Sequence, residues 1–479
     1  MSNTITELIF IPLPVIGHMR STIELTNLLI NRNHHLSITV LIIQPISGLQ
    51  TASPIATYIH SLTNTAHIRF IILPQHKPLP KRHPKSPMTF VNDYITTHFK
   101  HVRNIVTEIT SQQNSGKLSA FVIDMLCTSM IDVANEFNVP TYVFYTSSAA
   151  YLGYQLYIQR LVDDLNHDVE RVVELANSDC EINVPVFVHP VPTKVFPSGY
   201  DTKEGLDYVM LITRKLRSAK AVIVNTFLEL EQHAIVSLSS DSTVPSVYPV
   251  GPILNPITNS VITNSVDSVN SGDDDVIRWL DNQPNSSVVF LCFGSLGKFD
   301  EVQLKEIATA LERSSYRFLW SINDQEAVLP EGFVERTRGR GKVIGWALQM
   351  AVLGHGAVGG FVTHCGWNSV LESLWFGVPV ATWPIYAEQQ MNAFEIVVEL
   401  ELGVEIKLDY RKDLVDVKKS VGVVSCEEIE NGIRRLMEDD EMRRKMKEMS
   451  MVSRVTVGDG GSSYDFVGRL VQDFVRNVS

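Results

Sequence analysis

The sequence contains few cysteines, and their spacing suits neither disulfide pairing nor metal binding. Five cysteines are scattered along 479 residues. CxxC and HExxH patterns are absent, so neither a disulfide framework nor a zinc site is expected. Cysteine usage of this kind is typical of a reducing compartment, and we expect the protein to be cytoplasmic.

The chain also lacks an excess of positive charge and any long apolar run. Its net charge of −12 argues against nucleic acid or an anionic membrane surface as a partner. A membrane-spanning helix needs an apolar run of about 18 residues, and none occurs, so no membrane insertion is expected. The opening residues MSNTITELIFIPLPVIGHM have no basic leader, and Glu7 and Pro12 interrupt them, unlike a signal peptide.

Three common motifs, two for nucleotide binding and one for a catalytic nucleophile, are missing or wrongly placed. There is no GxxxxGK[ST] phosphate loop. GHGAVG (354–359) matches GxGxxG but precedes a strand pattern, whereas a dinucleotide site needs the reverse order. A nicotinamide-dependent oxidoreductase is therefore a weak alternative. FGSLG (293–297) lacks the first glycine of a nucleophile elbow.

Short β-branched runs alternate with helical patterns, which is typical of parallel α/β proteins. The predicted strands of the first half lie at 7–14, 36–43, 67–73, 120–125, 141–146 and 221–226. Those of the second half lie at 287–295, 317–322, 342–347, 359–364 and 379–384. Segment 255–275 is rich in Asn, Ser and Asp, and we interpret it as a flexible linker. The pattern predicts two doubly wound domains.

Polar residues gather where the predicted strands end. His18, Asp124 and Thr146 occupy such places in the first half, and Ser295, Trp346, His364, Glu388 and Gln389 do so in the second. Ligands of open parallel sheets bind at the carboxyl ends of the strands. The joint placement therefore predicts two sheet edges facing one cleft, which forms a shared active site.

Taken singly, several of these residues have a purely structural interpretation. Asp124 could cap a helix, Ser369 and Glu372 have the S-x-x-E spacing of a capping box, and Trp346 could belong to the core.

Residues 346–389 read WALQMAVLGHGAVGGFVTHCGWNSVLESLWFGVPVATWPIYAEQ. In length and order they resemble the 44-residue donor-binding signature box of plant secondary-product UDP-glycosyltransferases. The resemblance extends to IPLPVIGH, FVIDM, VNTFLELE, VYPVGPIL and SSVVFLCFGSLGKF, and so covers nearly the whole chain.

The resemblance implies the α/β GT-B fold, with two Rossmann-like doubly wound domains facing one cleft. It implies an acceptor-binding domain at 1–250, a linker at 251–275, a UDP-sugar-binding domain at 276–458, and a C-terminal helix within 459–479 that returns to the first domain.

The resemblance also implies a role for each matching residue. His18 is the base and Asp124 its partner. The UDP-sugar is held by Thr146, Ser295, Trp346, Ala347, Gln349, His364, Gly366, Trp367, Asn368, Ser369, Glu372, Glu388 and Gln389. In this set Trp346 stacks on uracil, and Gln349 and Glu372 bind the ribose. A hydrophobic acceptor pocket is expected around Phe90, Met125, Tyr145 and Tyr386.

The implied reaction is inverting transfer of glucose from UDP-glucose to a hydroxyl of a flavonoid, phenolic or terpenoid, which gives a β-O-glucoside. No metal or further cofactor is expected, and the enzyme is expected to act as a monomer. A catalytically silent UDP-sugar-binding protein is the alternative, which the presence of both His18 and Asp124 disfavours. Leu348 and Gly356 stand where the box commonly has proline, which predicts a looser donor loop.

Overall fold

The computed structural model describes residues 5–45, 52–75, 87–111, 116–163, 168–254, 271–295, 297–322, 328–411 and 422–478. Residues 255–270, most of the predicted linker, lie outside this set. The chain is described again from helix Ser271–Asp281, so the last residues of the segment predicted as linker are helical.

The first half of the chain forms a parallel sheet of seven strands. The described strands of this half, seven in the sheet and two outside it, are β1 (Thr6–Ile11), β2 (Leu36–Ile42), β3 (Ile68–Ile72), β4 (Lys117–Asp124), β5 (Thr141–Tyr145), β6 (Glu181–Ile182), β7 (Val191–Pro192), β8 (Ala221–Val224) and β9 (Ser246–Pro249). The sheet has the order β3-β2-β1-β4-β5-β8-β9, while β6 and β7 pair separately as an antiparallel ribbon. The six strands predicted for this half are confirmed, whereas β6, β7 and β9 were not predicted.

Helices cover both faces of this sheet. They are α1 (Ile16–Arg32), α2 (Ala52–Ser61), α3 (Pro87–Thr96), α4 (Phe99–Ser111), α5 (Ile131–Glu136), α6 (Ala149–Asp163), α7 (Val169–Ala176), α8 (Lys203–Arg217) and α9 (Gln232–Ser240). Helix α1 begins at Ile16, directly after its N-cap residue Val15. His18 therefore lies in the first turn of α1.

The second half forms another parallel sheet, of six strands. Its elements are α10 (Ser271–Asp281), β10 (Val288–Cys292), α11 (Glu301–Ser314), β11 (Arg317–Ser321), α12 (Phe333–Arg336), β12 (Gly341–Ile344), α13 (Gln349–Leu353), β13 (Val358–Thr363), α14 (Trp367–Phe376), β14 (Val380–Thr382), α15 (Gln389–Phe394), β15 (Gly403–Glu405), α16 (Cys426–Glu438) and α17 (Asp440–Thr456). The sheet order is β12-β11-β10-β13-β14-β15. The predicted α/β class with two doubly wound sheets is confirmed.

Both sheets are covered on both faces, which explains the continuous apolar runs of their strands. In β4 the four residues 120–123 are all at most 1% exposed. Separate apolar clusters fill the two faces of each sheet. Within the described ranges, no helix combines the length and the apolar character needed to cross a bilayer.

The strand order reverses next to the central strand in each sheet. β1 pairs with β2 on one side and β4 on the other, and β10 pairs with β11 and β13 in the same way. Such a reversal opens a crevice at the carboxyl ends of the two strands beside it. The residues that follow β1, β4, β10 and β13 are therefore placed to line a site.

The last helix, α18 (Ser462–Arg476), packs on the first sheet. Ser119 donates a hydrogen bond to the Phe474 carbonyl at 2.6 Å, and the Tyr142 hydroxyl donates one to Asp473 at 2.6 Å. Just before α18, a Cβ on Gly461 would lie 2.3 Å from the Thr456 carbonyl oxygen, so this turn needs glycine. We use "first lobe" for the first sheet with its helices and α18, and "second lobe" for residues 271–456.

Leu470 on α18 is fully buried against the first sheet, whereas Val475 on the same helix is 36% exposed. We expect Leu470→Ala to lower the free energy of unfolding of the first lobe by about 2–5 kcal/mol, because it leaves a cavity. The matched control Val475→Ala should change it by less than about 0.5 kcal/mol. Guanidinium unfolding followed by circular dichroism measures both; equal effects would contradict the packing of α18 on this sheet.

Candidate active site

The carboxyl edges of the two sheets face each other across one cleft, and they touch at the start of two helices. The Asn368 side-chain amide, in the first turn of α14, donates to the Gly17 carbonyl at 3.2 Å. Ser21, one turn further along α1, donates to the Asn368 side-chain oxygen at 3.3 Å. These contacts bring the turn after β13 next to the residue that precedes His18.

On the first lobe, His18 and Asp124 form a buried pair. Asp124, at the end of β4, is fully buried and accepts a hydrogen bond from His18 Nδ1 at 2.8 Å. The other oxygen of Asp124 accepts from the Leu126 backbone N–H at 2.9 Å, so the carboxylate is fixed by its own turn and caps no helix. With Nδ1–H directed at Asp124, the second ring nitrogen of His18 is the one able to accept a proton.

The surroundings of His18 favour its protonated form. Burial alone lowers the pKa of His18, but the charge and hydrogen bond of Asp124, together with the charge of Glu388, outweigh it, and the pKa lies above the ordinary histidine value. The Thr146 hydroxyl lies 3.0 Å from His18 Nδ1 and donates to the sulfur of Met125 at 3.7 Å. The pair therefore has the geometry of a general base held in orientation by a carboxylate.

On the second lobe, the turn after β13 leads directly into α14. Cys365 has a φ of 63°, and its carbonyl accepts a hydrogen bond from the Asn392 side chain at 3.0 Å. α14 begins after Gly366, and within the described residues no side chain caps this helix start. Its first backbone N–H groups and its dipole can therefore hold an anion such as a phosphate.

His364 lies beside this helix start and is packed between two glycines. A Cβ on Gly294 or Gly366 would lie 2.6 or 2.7 Å from His364 Nε2, so both positions need glycine. Burial lowers the pKa of His364 to about 4. The imidazole is therefore neutral at neutral pH, and it can donate a hydrogen bond to an anion but adds no charge.

Gln349, Ser369 and Glu372 form a polar network next to the helix start. The Gln349 side chain donates to Ser369 at 2.9 Å and to Glu372 at 2.7 Å. Because α14 begins before Ser369, Ser369 and Glu372 do not form a capping box. Burial raises the pKa of Glu372 to about 7, against the opposing effects of Gln349 and Arg20. A carboxylate here can accept hydrogen bonds from two neighbouring hydroxyls.

Trp346 and Ala347 follow β12 next to this network. Trp346 is 49% exposed, so it is not a core residue and can contact a ligand at this edge. Ser295, which follows β10, is half-buried. These residues belong to the same sheet edge as His364.

Three residues predicted around the sugar are placed differently from one another. Glu388 precedes α15, and its charge is close enough to His18 to affect the pKa of both side chains. The side-chain oxygen of Gln389 accepts from the backbone N–H groups of Ile385 and Tyr386 at 2.9 and 3.0 Å. Trp367 is 2% exposed and donates from its indole to the Asn225 carbonyl at 2.8 Å, so its side chain is directed into the interface between the lobes.

The four residues predicted to line an acceptor pocket also differ. Met125 lies beside Thr146, and the Tyr386 ring centre is 6.4 Å from that of His364. Phe90 is half-buried on α3. Tyr145 is fully buried, and its hydroxyl donates to Gln155, so the structure assigns it to the core of the first lobe.

Some site contacts could not be found from the sequence. Ser21, Asn225 and Asn392 each bind a residue of the signature box through contacts of long sequence separation. Arg20 acts electrostatically on Glu372 from the opposite lobe. No local pattern signals these residues, since their roles arise only when the two sheets face each other. By contrast, GHGAVG follows α13 and precedes β13, as predicted, and so does not form a dinucleotide turn.

Comparison with known proteins gives consistent similarities over the whole chain. The family profile described as "UDP-glucoronosyl and UDP-glucosyl transferase" matches residues 222–453. "UDP-glucose flavonoid 3-O-glucosyltransferase 6" of Fragaria ananassa is 49% identical, over 97% of this chain and 98% of that protein. "Anthocyanidin 3-O-glucosyltransferase 1" of Manihot esculenta is 46% identical, over 96% and 100%. The crystal structure of Medicago truncatula UGT71G1 complexed with UDP-glucose superposes with a TM-score of 0.87 at 40% identity, over 98% and 99%.

Asp124→Asn removes the charge that raises the pKa of His18. We expect the pKa of His18 to fall, because burial is then opposed only by the charge of Glu388. An NMR titration of histidine-labelled protein measures it, with His18 assigned from the spectrum of His18→Gln. Thr146→Val, which removes only a neutral hydroxyl, should leave the value nearly unchanged. An unchanged His18 pKa in Asp124→Asn would contradict the assigned pairing.

Proposed function

The chain belongs to the UDP-glycosyltransferase family, and from this premise we propose that it transfers glucose from UDP-glucose to a hydroxyl of a hydrophobic small molecule. The observation that carries the proposal is the His18–Asp124 pair lying across one cleft from the uncapped start of α14. One side of this cleft can accept a proton, and the other can hold a diphosphate.

We propose that the second lobe binds the donor. The exposed Trp346 stacks on uracil, a contact worth about 1–3 kcal/mol, and the Ala347 backbone meets the polar edge of the base. Gln349 and Glu372, already hydrogen bonded to each other, bind the ribose hydroxyls. The diphosphate is held at the start of α14 by backbone N–H groups and by four side chains, those of His364, Asn368, Ser369 and Ser295.

The sugar is proposed to lie between the lobes, near Glu388, Gln389 and Thr146. Glu388 accepts sugar hydroxyls, and Gln389 can donate from its amide nitrogen because its oxygen is already engaged by two backbone N–H groups. The indole of Trp367 is committed to Asn225, so this residue can reach the sugar only through its backbone. The carbon that reacts is thereby brought close to His18.

The proposed reaction is a single displacement. His18 accepts the proton of the acceptor hydroxyl as that oxygen bonds to the anomeric carbon, and the bond from this carbon to the UDP oxygen breaks. An α-linked donor then gives a β-glucoside. Asp124 stabilises the protonated imidazole, and base assistance of this kind is worth about 10²–10⁴ in rate. The backbone N–H groups of α14 and the neutral His364 stabilise the charge that develops on UDP.

The acceptor is proposed to bind in the first lobe, in the domain predicted at 1–250, and the donor in that at 276–458. Phe90, Met125 and Tyr386 favour an aromatic or terpenoid aglycone, and the Fragaria and Manihot relatives are named for flavonoid and anthocyanidin substrates. Tyr145 is left out of the pocket because it is a core residue. We also propose a cytoplasmic monomer, in keeping with five cysteines that are all free.

The experiment that tests the function is a mass-spectrometric acceptor screen. Purified protein is incubated with UDP-glucose, excess EDTA and a panel of flavonoids, simple phenols and terpenoid alcohols. We expect products heavier by one hexose from the native chain and none from His18→Gln, which should still bind UDP in calorimetry because the base lies outside the proposed UDP contacts. Formation of product by His18→Gln would contradict the assignment of His18 as the general base. UDP binding without any product from the native chain would favour a silent UDP-sugar-binding protein.

Leu348 lies directly before α13, with a φ of −73° that proline can adopt, and its side chain is 43% exposed. We expect Leu348→Pro to lower the KM for UDP-glucose about two- to fivefold, because it restricts the unbound ensemble of the donor loop. Leu348→Ala, which removes the side chain without fixing φ, serves as the control. Steady-state kinetics at saturating acceptor measure the effect, and an unchanged or higher KM in Leu348→Pro would contradict the looser-loop hypothesis.

A further inference from the structure

One helix of the second lobe penetrates the first lobe. We call it the bridging helix: α15 (Gln389–Phe394) together with the π-helical turn Glu395–Glu399 that continues it. Met391 and Phe394 belong to the apolar core of the first lobe, and the Phe394 ring packs edge-on against Phe187 at 5.6 Å. π-Helical turns are uncommon and occur frequently at functional positions.

The beginning and middle of the bridging helix serve the proposed site. Glu388, immediately before it, acts electrostatically on His18. Asn392 holds the Cys365 carbonyl at 3.0 Å and thereby fixes the turn that precedes α14. A displacement of this helix would therefore move both the proposed sugar contact and the proposed diphosphate turn.

At its far end the bridging helix is held by carboxylates. Glu399 accepts from the backbone N–H groups of Val188 and His189 in the first lobe, both at 2.9 Å, and lies 3.1 Å from the His189 ring nitrogen. One turn earlier, Glu395 meets Glu231, a first-lobe residue that directly precedes α9. Glu231 and Glu395 are each only 3% exposed.

The two buried carboxyl groups are not equivalent. The oxygens of Glu231 accept separately from the Ala149 and Ala150 N–H groups at the start of α6, at 3.0 and 2.7 Å. This arrangement satisfies the ionised form of Glu231, and the helix dipole favours it. In Glu395, by contrast, Oε2 is buried and receives no hydrogen bond from the described residues. A buried carboxylate oxygen without a hydrogen-bond donor destabilises the folded state. This cost is avoided if the carboxyl group of Glu395 carries a proton and donates it in a hydrogen bond to Glu231.

We propose that Glu395 and Glu231 are positioning residues of the proposed glycosyl transfer, and that one proton carried by Glu395 and donated to Glu231 fastens the bridging helix to the first lobe. Two ionised carboxylates cannot share this buried space, since their repulsion is not screened by water. The other charged group that acts on Glu395 is Glu399, which is also acidic, while the Ser148 hydroxyl can donate to Glu395.

The direction of the pH dependence follows from these surroundings. Burial, and then the charge of Glu231, raise the pKa of Glu395 well above the ordinary value. Burial also raises the pKa of Glu231, although hydrogen bonds from Glu395 and from the Ala149 and Ala150 N–H groups oppose this. The folded protein therefore keeps a proton that the unfolded chain loses near pH 4.5. Stability from the pair is complete below that pH and is lost as the pH rises through the raised pKa of Glu395.

The test compares Glu395→Gln, Glu395→Ala and Glu231→Gln. Glu395→Gln keeps an N–H donor toward Glu231 and cannot ionise, so its melting temperature should fall less than that of the native chain as the pH rises from 5 to 9.5. Glu395→Ala should raise the KM for UDP-glucose about tenfold at pH 7, and Glu395→Gln should restore most of this loss. Glu231→Gln should raise the KM and lower the melting temperature more than Glu395→Gln does. The reason is that its NH₂ group would face a backbone N–H donor that the carboxylate of Glu231 accepts from in the native chain.

Two outcomes would overturn the proposal. One is a profile of melting temperature against pH, from pH 5 to pH 9.5, in which Glu395→Gln coincides with the native chain. The other is the reversed order, in which Glu231→Gln is tolerated and Glu395→Gln is not. The melting-temperature measurements and the calorimetric titration with UDP at both pH values require neither an acceptor nor catalytic turnover. They therefore report on the pair even if the native chain fails to transfer glucose, so failure of the proposed function is distinguishable from failure of this inference.

Discussion

The site depends on the contact between the lobes at the starts of α1 and α14, where the Asn368 amide donates a hydrogen bond to the Gly17 carbonyl. Asn368 stands in the first turn of the helix whose start is open to an anion, and Gly17 directly precedes the proposed base. Neither lobe has a complete site, because the proton acceptor comes from one sheet edge and the anion-binding groups from the other. The chemistry therefore requires the two sheets to meet edge to edge, and this contact fixes how closely they do so.

Within that cleft, the neighbours of two histidines shift their pKa values in opposite directions. His18 and His364 are both imidazoles at the ends of parallel strands, yet the pKa of His18 lies above the ordinary value and that of His364 is lowered to about 4. Asp124 accounts for the difference, since His364 is packed against glycines and has no such carboxylate partner among the residues that the structure describes. One imidazole is thus suited to take up a proton, and the other to donate a neutral hydrogen bond.

Most of the fold could be read from the sequence, because its strands are buried on both faces and so appear as continuous apolar runs. The short strands β6, β7 and β15 were missed, since two or three residues carry no measurable periodicity. The proposed site residues were predicted because they follow strands and match a known box. Sequence patterns did not give the surroundings of three residues, which depend on tertiary packing. Tyr145 continues an apolar strand into the core, and the Trp367 side chain is directed at Asn225. Ser369 follows the start of the helix instead of preceding it. The facing of Glu231 and Glu395, far apart in sequence, has no local signature at all.

The return of α18 to the first lobe means that the chain crosses between the lobes twice, once between β9 and α10 and once between α17 and α18. Both connections join the lobes covalently. The second crossing is short, and it passes through Gly461, where the close approach of Thr456 allows no side chain. The lobes are therefore tethered at two places, and this tethering limits how far they can separate when the cleft exchanges ligands.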